Sequence, residues 1–270
     1  MYIADLHIHT DVSDCSMKAE QILSLACEKG ITHLAFTDHD TSSCAREHIK
    51  LAEKYGIRAV PAVEMSAYDY KKQKKVHILG YGYQTNRQIE AIGRETLRKR
   101  TENCLKQIEI LSTLGYTVPP EEIKKLGRTG IYKQHILDYL VKTGQEETLF
   151  GDVYKKIFKN NGPCDFDITY PSAEDVIQAV KADKGCAVLA HPGQQNNYGS
   201  IHRLTEAGLD GIELHHPSHT KNDLQKIKEY CRTYHLIMTG GSDFHGSYEN
   251  TRTEMGQYPA HKSSQILFLS

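Results

Sequence analysis

The chain reads as an α/β protein, a barrel-like unit of alternating strands and helices interrupted by a helical insertion. Three observations predict this. Short apolar runs alternate with amphipathic stretches near the N-terminus, the alternation gives way to helical periodicity in the middle, and it resumes after Pro163. The composition is that of a globular chain long enough for one domain with an insertion: 270 residues, 39% hydrophobic, 25% charged, formal net charge -1.

Strands are predicted over 2–6, 32–37 and 58–63, with helices over 19–29 and 43–54 between them. Gly30 and Gly56 stand just past these helices, where a left-handed backbone closes a helix without strain. Lys71, Lys72, Lys74 and Lys75 mark a solvated hairpin loop, and a further strand follows over 76–81. From 87 to about 158, residues such as Ile89, Ile92, Leu97, Leu105, Ile108 and Leu111 recur near helical spacing until Gly115 stops the first helix. Pro119 and Pro120 open a short helix, and another spans 131–142. Helices over 173–181, 201–207 and 221–234 then alternate with strands over 186–190, 211–214 and 236–239. The barrel-like unit therefore comprises 1–83 and 166–270, and the helical insertion subdomain 84–165.

The near-neutral charge offers no polybasic field for gripping long duplex DNA, which leaves small or short anionic substrates as partners. No run approaches the roughly 18 apolar residues of a membrane span, and the N-terminal residues lack the basic, then apolar, then small-residue pattern of a secretory leader. The seven cysteines are scattered without a C-x-x-C pair, as in a reducing compartment, so the expected location is the cytoplasm, with thiols filling the core.

Histidines and carboxylates collect at predicted strand ends. His7 and His9 face one side by period-two alternation and can chelate one ion. His39 follows the second strand, Glu64 the third, His77 begins the next, and His191, Asp243 and His245 follow later ones, with Asp14 in the loop after the first. Parallel β/α folds present catalytic groups at the carboxyl ends of their strands. Imidazole and carboxylate without clustered thiols suit first-row divalent ions, manganese, iron or zinc, better than a structural zinc site. Six histidines and three carboxylates exceed what one tetrahedral ion takes, so two or three ions sharing carboxylates are expected, an arrangement that serves phosphoryl chemistry. Asp5, Asp38 and Asp40 are expected to orient histidines or cap loops. His33, His48, His202, His235 and His261 stand singly and are assigned no part in the site, and neither is Cys15.

The strings DLHIHTDVSD, FTDHDT, AVEMS, VHILGYG, LAHPG and GSDFHG, in this order, resemble the motifs of the PHP superfamily, named for polymerase and histidinol phosphatase. The likeness spans 1–83 and 166–250 and implies a distorted (β/α)7 barrel with a trinuclear metal site. It implies that His7, His9, Glu64 and Asp243 surround one ion, that Glu64 bridges to a second held with His77 and His191, and that Asp14, His39 and His245 hold a third. The insertion is similar to that of members acting on nucleoside 3′,5′-bisphosphates and on the 5′ ends of short RNAs, in which an R-x-H element holds substrate phosphate. Here Lys133-Gln134-His135 stands in that place, and lysine keeps the charge but loses the bidentate fork of arginine. Lys133, His135 and Arg128 are thus expected in the outer phosphate or base pocket. A metal-bound hydroxide would attack a phosphate monoester in line, with His216 or His219 of the H-H-P-S-H run as acid or phosphate contact. Three rivals stay open: a histidinol-phosphate phosphatase, a metal-dependent amidohydrolase or deaminase, and a non-catalytic metal-binding module.

Overall fold

Strand β1 (Ala4–Ile8) is buried along its whole length, as a strand covered on both faces must be, and it carries His7 within it. In the computed structural model, which describes residues 2–248 and 253–269, β1 is followed by α1 (Ala19–Glu28), β2 (His33–Phe36), α2 (Ala45–Lys54) and β3 (Arg58–Ala59). Strands β1, β2 and β3 pair in parallel, the register expected when each crossover is a helix. The first strand begins at Ala4 rather than at residue 2.

The run 58–63 differs from its prediction as one strand. It breaks at Val60-Pro61, where proline withdraws a backbone donor, into β3 and a separate strand β4 (Ala62–Asp69). β4 and β5 (Lys74–Tyr81) form an antiparallel hairpin around the lysine-rich turn, with Ser66 opposite His77. β5 is also antiparallel to β6 (Cys186–Leu189), while β6, β7 (Gly211–His215) and β8 (Ile237–Gly240) run parallel. The strands are thus divided into a three-stranded and a five-stranded sheet instead of one uniformly parallel ring. Isolated bridges join the two sheets, Ile8 to Phe244 and His39 to Glu64, and the Tyr81 hydroxyl donates to the Leu6 carbonyl at 2.7 Å between them.

Between β5 and β6 lie α3 (Arg87–Thr113), α4 (Pro120–Leu126), α5 (Lys133–Lys142), α6 (Asp152–Ile157) and α7 (Ala173–Ala182). Helix α7 packs on the five-stranded sheet with α9 (Ile201–Glu206) and α10 (Lys221–Tyr234), which follow the one-turn α8 (Pro192–Gln195). Helices α3 to α6 bury a separate apolar cluster that includes Ile108, Leu111, Ile123, Ile136, Leu140 and Phe158. Buried Cys104 and Cys164 belong to that cluster, and the described cysteines form no disulfide. Among the described residues no helix is long and apolar enough to cross a membrane. The C-terminal segment closes the end of the sheets away from the histidines: Ala260 N donates to Ala4 O at 2.8 Å, and Arg58 to Phe268 O at 3.0 Å.

Two glycines allow approaches that a side chain would block. A Cβ at Gly93 of α3 would lie 2.2 Å from the Asp40 carbonyl oxygen, so the long helix rests directly on the loop after β2. A Cβ at Gly241 would lie 2.4 Å from the His7 nitrogen and Cβ, because the chain leaving β8 runs against β1 there. Gly241→Ala should cost about 1–3 kcal/mol by overpacking, read as a lower denaturant midpoint. An unchanged midpoint would show that β1 and the β8 loop are not held this close.

Candidate metal centre

The two sheets bring the expected histidines to one place, around a carboxylate. Glu64 in β4 is 1% exposed, and five imidazoles face it. His7 Nε2, His9 Nε2 and His39 Nδ1 lie 3.3, 3.2 and 3.2 Å from Glu64 Oε2, while His77 Nδ1 and His191 Nε2 lie 2.8 and 2.9 Å from Oε1. Asp243 Oδ1 stands 3.2 Å from both His7 Nε2 and His9 Nε2. On the other side of His9, Asp14 Oδ1 is 3.4 Å from His245 Nε2, and the His9 and His245 rings stack at 4.0 Å.

Among the described residues, three groups have candidate ligand atoms within 4.8 Å of one another: His7, His9, Glu64 and Asp243; His39, Glu64 and His77; and His9, Asp14, His39 and His245. Every expected ligand position falls in one of them except His191, which reaches the centre through Glu64. The chemistry of these atoms fits divalent ions. His7 Nε2, His9 Nε2, His39 Nδ1, Asp14 Oδ1 and Asp243 Oδ1 are buried without a hydrogen-bond partner, and buried polar atoms are rarely left so. The loops are strained where they present these groups, since Asp40, His191 and Asp243 have φ of 57°, 23° and 52°, the left-handed region that non-glycine residues seldom adopt.

Buried partners outside the groups fix ring orientation. Glu213 in β7 takes His7 Nδ1 at 3.0 Å and the His191 backbone N–H at 2.9 Å, turning His7 Nε2 toward Glu64. His245 Nδ1 meets the Asp243 carbonyl at 2.7 Å, which leaves Nε2 toward Asp14. Asp38 accepts from Thr10 N and Ser13 Oγ, Asp5 from Ser242 N and Gly256 N, and Asp40 from Ser66 N and Arg100. Sequence reasoning passed over Glu213, Arg100 and Gln134. The acid in the apolar run Gly211-Ile212-Glu213-Leu214 was the available signal for the first; the other two carry none.

Two cavities flank the centre. One of about 330 Å³ opens beside Asp14, His39 and His77, walled by Arg100, Asn103 and Gln107 of α3, by Lys133 of α5 and by Phe150 and Phe166. The α3 residues follow helical spacing, so one face of the helix forms that wall. Another of about 360 Å³ lies beside Asp243 and His245, and Gln134 and Gln194 border both.

The substrate-side expectations divide. Lys133 lines the first cavity with its ammonium 5.5 Å over the Phe158 ring; burial and Lys159 push its pKa down, and no carboxylate among the described residues pairs with it. His216 lines the second, its Nε2 3.2 Å from Asp243 Oδ2. His219 does not serve as expected: Nδ1 meets the Leu214 carbonyl at 2.8 Å and Nε2 accepts from Gly193 N at 3.2 Å, so both nitrogens are spent on backbone. His135 is buried away from both cavities, its Nδ1 accepting from Tyr132 N at 3.3 Å at the start of α5. Arg128 is exposed and faces Asp11 at 3.5 Å, outside the lining.

Burial raises a carboxyl and lowers an imidazole, and here the mutual charges mostly overrule it. Burial would lift Glu64, yet His39, His7 and His77 hold it well below the carboxylate range. Asp14 is likewise held down by His39 and His245 against its burial. Burial would lower His245, but Asp14 and Asp243 raise it to about 10. For His39 burial prevails over Glu64 and Asp14, and its pKa is pushed down to about 3.

The fold and this centre together define a candidate metallohydrolase. The chain belongs to the PHP domain family, whose model matches residues 5–248. It is 41% identical to the phosphoribosyl 1,2-cyclic phosphate 1,2-diphosphodiesterase of Eggerthella lenta over 91% of this chain and 95% of the relative. It is 27% identical to the 3′,5′-nucleoside bisphosphate phosphatase of Chromobacterium violaceum, covering 92% and 89%. A solved structure from Bifidobacterium adolescentis, assigned as a metal-dependent phosphoesterase, superposes with a TM-score of 0.89 at 26% identity over 98% of this chain and 95% of that one.

Because His245 is held up to about 10 without ions, its ring carries a proton at neutral pH that must leave when it takes an ion. Ion affinity should therefore rise with pH and be lost as acid reprotonates the ring. Manganese titration calorimetry at about pH 7, in two buffers of different ionisation heat, should show net proton release; zero release would contradict the assignment.

Proposed function

We propose that the protein is a metal-dependent phosphoesterase acting on small phosphorylated ribose compounds, nucleotides among them. The observation that carries this is the five-histidine shell around buried Glu64, opening directly onto a cavity lined by Lys133, with which no carboxylate among the described residues pairs. His7, His9, Glu64 and Asp243 would hold one ion, Glu64 with His77 and His191 a second, and Asp14, His39 and His245 a third. Two or three ions of manganese, iron or zinc match this donor set. When bound they supply Lewis acidity toward phosphate oxygens and an activated water. The bridged sheets correspond in this reading to a distorted (β/α)7 barrel, with 1–83 and 166–270 as the catalytic unit and 84–165 as the insertion subdomain.

The chain's own residues set the substrate. The reactive phosphate enters between the cavities, both of which Gln134 and Gln194 border. Lys133 binds the substrate's other phosphate as a point charge, made strong by its partly buried, aromatic surroundings. His216 is the candidate acid or phosphate contact on the side of the second cavity, with the Ser218 hydroxyl 2.7 Å from its Nδ1 and its Nε2 toward Asp243 Oδ2. A ribose with two phosphate groups would offer one to the centre and the other to the lysine on the same cavity. A nucleoside 3′,5′-bisphosphate is one such compound. A phosphoribosyl 1,2-cyclic phosphate is another, favoured as a second reading by the 41% identity to the Eggerthella enzyme and by space on both sides of the centre for a diester.

Product analysis with manganese supplied, reading phosphate release from adenosine 3′,5′-bisphosphate and L-histidinol phosphate and ring opening or phosphate release from phosphoribosyl 1,2-cyclic phosphate, separates these. Turnover of either ribose compound, abolished by His9→Ala, is the expected result. Lys133→Ala should raise KM about 10–100-fold with kcat little changed, as for loss of one charged hydrogen bond. Preference for histidinol phosphate, or silence on all three, would overturn the substrate claim.

A further inference from the structure

The helical insertion touches the two loops that carry Asp14 and His39, and of these two ligands Asp14 belongs to one group alone. Thr129 Oγ donates to the Val12 carbonyl at 2.6 Å, Gln134 Nε2 to Asp14 Oδ2 at 2.9 Å, and the Tyr132 hydroxyl to the His39 carbonyl at 2.9 Å. His135 adds a hydrogen bond to the Ser13 backbone. These contacts fall on the two loops that bring Asp14 and His39 to the group of His9, Asp14, His39 and His245. The group around His7 is braced from the sheets instead, through Glu213.

We infer that Gln134 is a positioning residue for Asp14, and that through it the insertion sets how tightly the ion of the His9, Asp14, His39 and His245 group is held. The inference rests on the ligand assignment proposed above. A carboxylate that ligates through one oxygen is free to swing unless the other is tied. Gln134 ties Oδ2, which leaves Oδ1, buried and without a hydrogen-bond partner, facing His245 at 3.4 Å and His9 at 3.8 Å. An amide donor is suited to this because it neutralises none of the charge the ion needs. Gln134 also borders both cavities, so the side chain that fixes Asp14 is within reach of substrate. Ion retention in this group and occupation of the cavity are therefore coupled through one residue.

The test is manganese affinity, measured ion by ion through chelator competition with ion counts per chain, for the wild type, Gln134→Ala and Gln134→Met. Methionine fills the same space without donating. One ion should weaken about 10–100-fold in both variants while the others keep wild-type affinity, the usual effect of losing a ligand's orienting partner. Wild-type binding by Gln134→Met would assign the effect to packing and overturn the inference, as would uniform weakening of every ion. An ion count unchanged by His245→Ala would overturn the ligand assignment beneath it instead.

Discussion

One buried carboxylate organises the molecule. Glu64 has two oxygens and five imidazole nitrogens within 3.3 Å of them, on residues from β1, β5 and the loops after β1, β2 and β6. A charge withdrawn from water this completely must be paired or must ligate. Mutual protonation serves only in part, as the opposite displacements of His39, to about 3, and His245, to about 10, indicate. Rings that cannot all be cations or all be neutral donors, around acceptors that are all anions, are satisfied together when cations lie between them. The bridge from His39 to Glu64, the glycine at 241 and the bends at Asp40, His191 and Asp243 all hold backbone where this crowding requires it.

The insertion has its own apolar core but reaches into this centre through polar contacts. Arg100 of α3 donates to Asp40 at 2.8 Å, beside His39, with its guanidinium 5.2 Å over the Tyr132 ring. The same helix presents Asn103 and Gln107 to the cavity, and α5 presents Lys133 and Gln134. Much of the first cavity's wall therefore comes from a stretch of chain that supplies none of the expected ion ligands.

Much of this was legible in the sequence, and what was not has a physical reason. Strand and helix alternation, and the collection of histidines at strand ends, follow from local periodicity and were readable residue by residue. The antiparallel pairing of β5 with β6 was not, because an apolar run of strand length carries no direction. Glu213 stands out in sequence only as an acid within an apolar run, and only the fold brings it to His7, 206 residues away in sequence. His135 and His219 carried the right side chain in the right motif, and nearby backbone groups consume their ring nitrogens. Gln134, uncharged and between two better candidates, gave no sign of its bond to Asp14. Ligand type is thus written locally, while orientation and access are settled by contacts that only the folded chain makes.

The central claim is that Glu64 is shared between ions rather than merely paired with histidines. A crystal grown with manganese, with anomalous scattering recorded at a wavelength that excites the metal, tests this most directly. The account predicts at least two peaks in contact with Glu64, one near His7, His9 and Asp243 and another near His77 and His191. A map with manganese elsewhere, and none against Glu64, would contradict it.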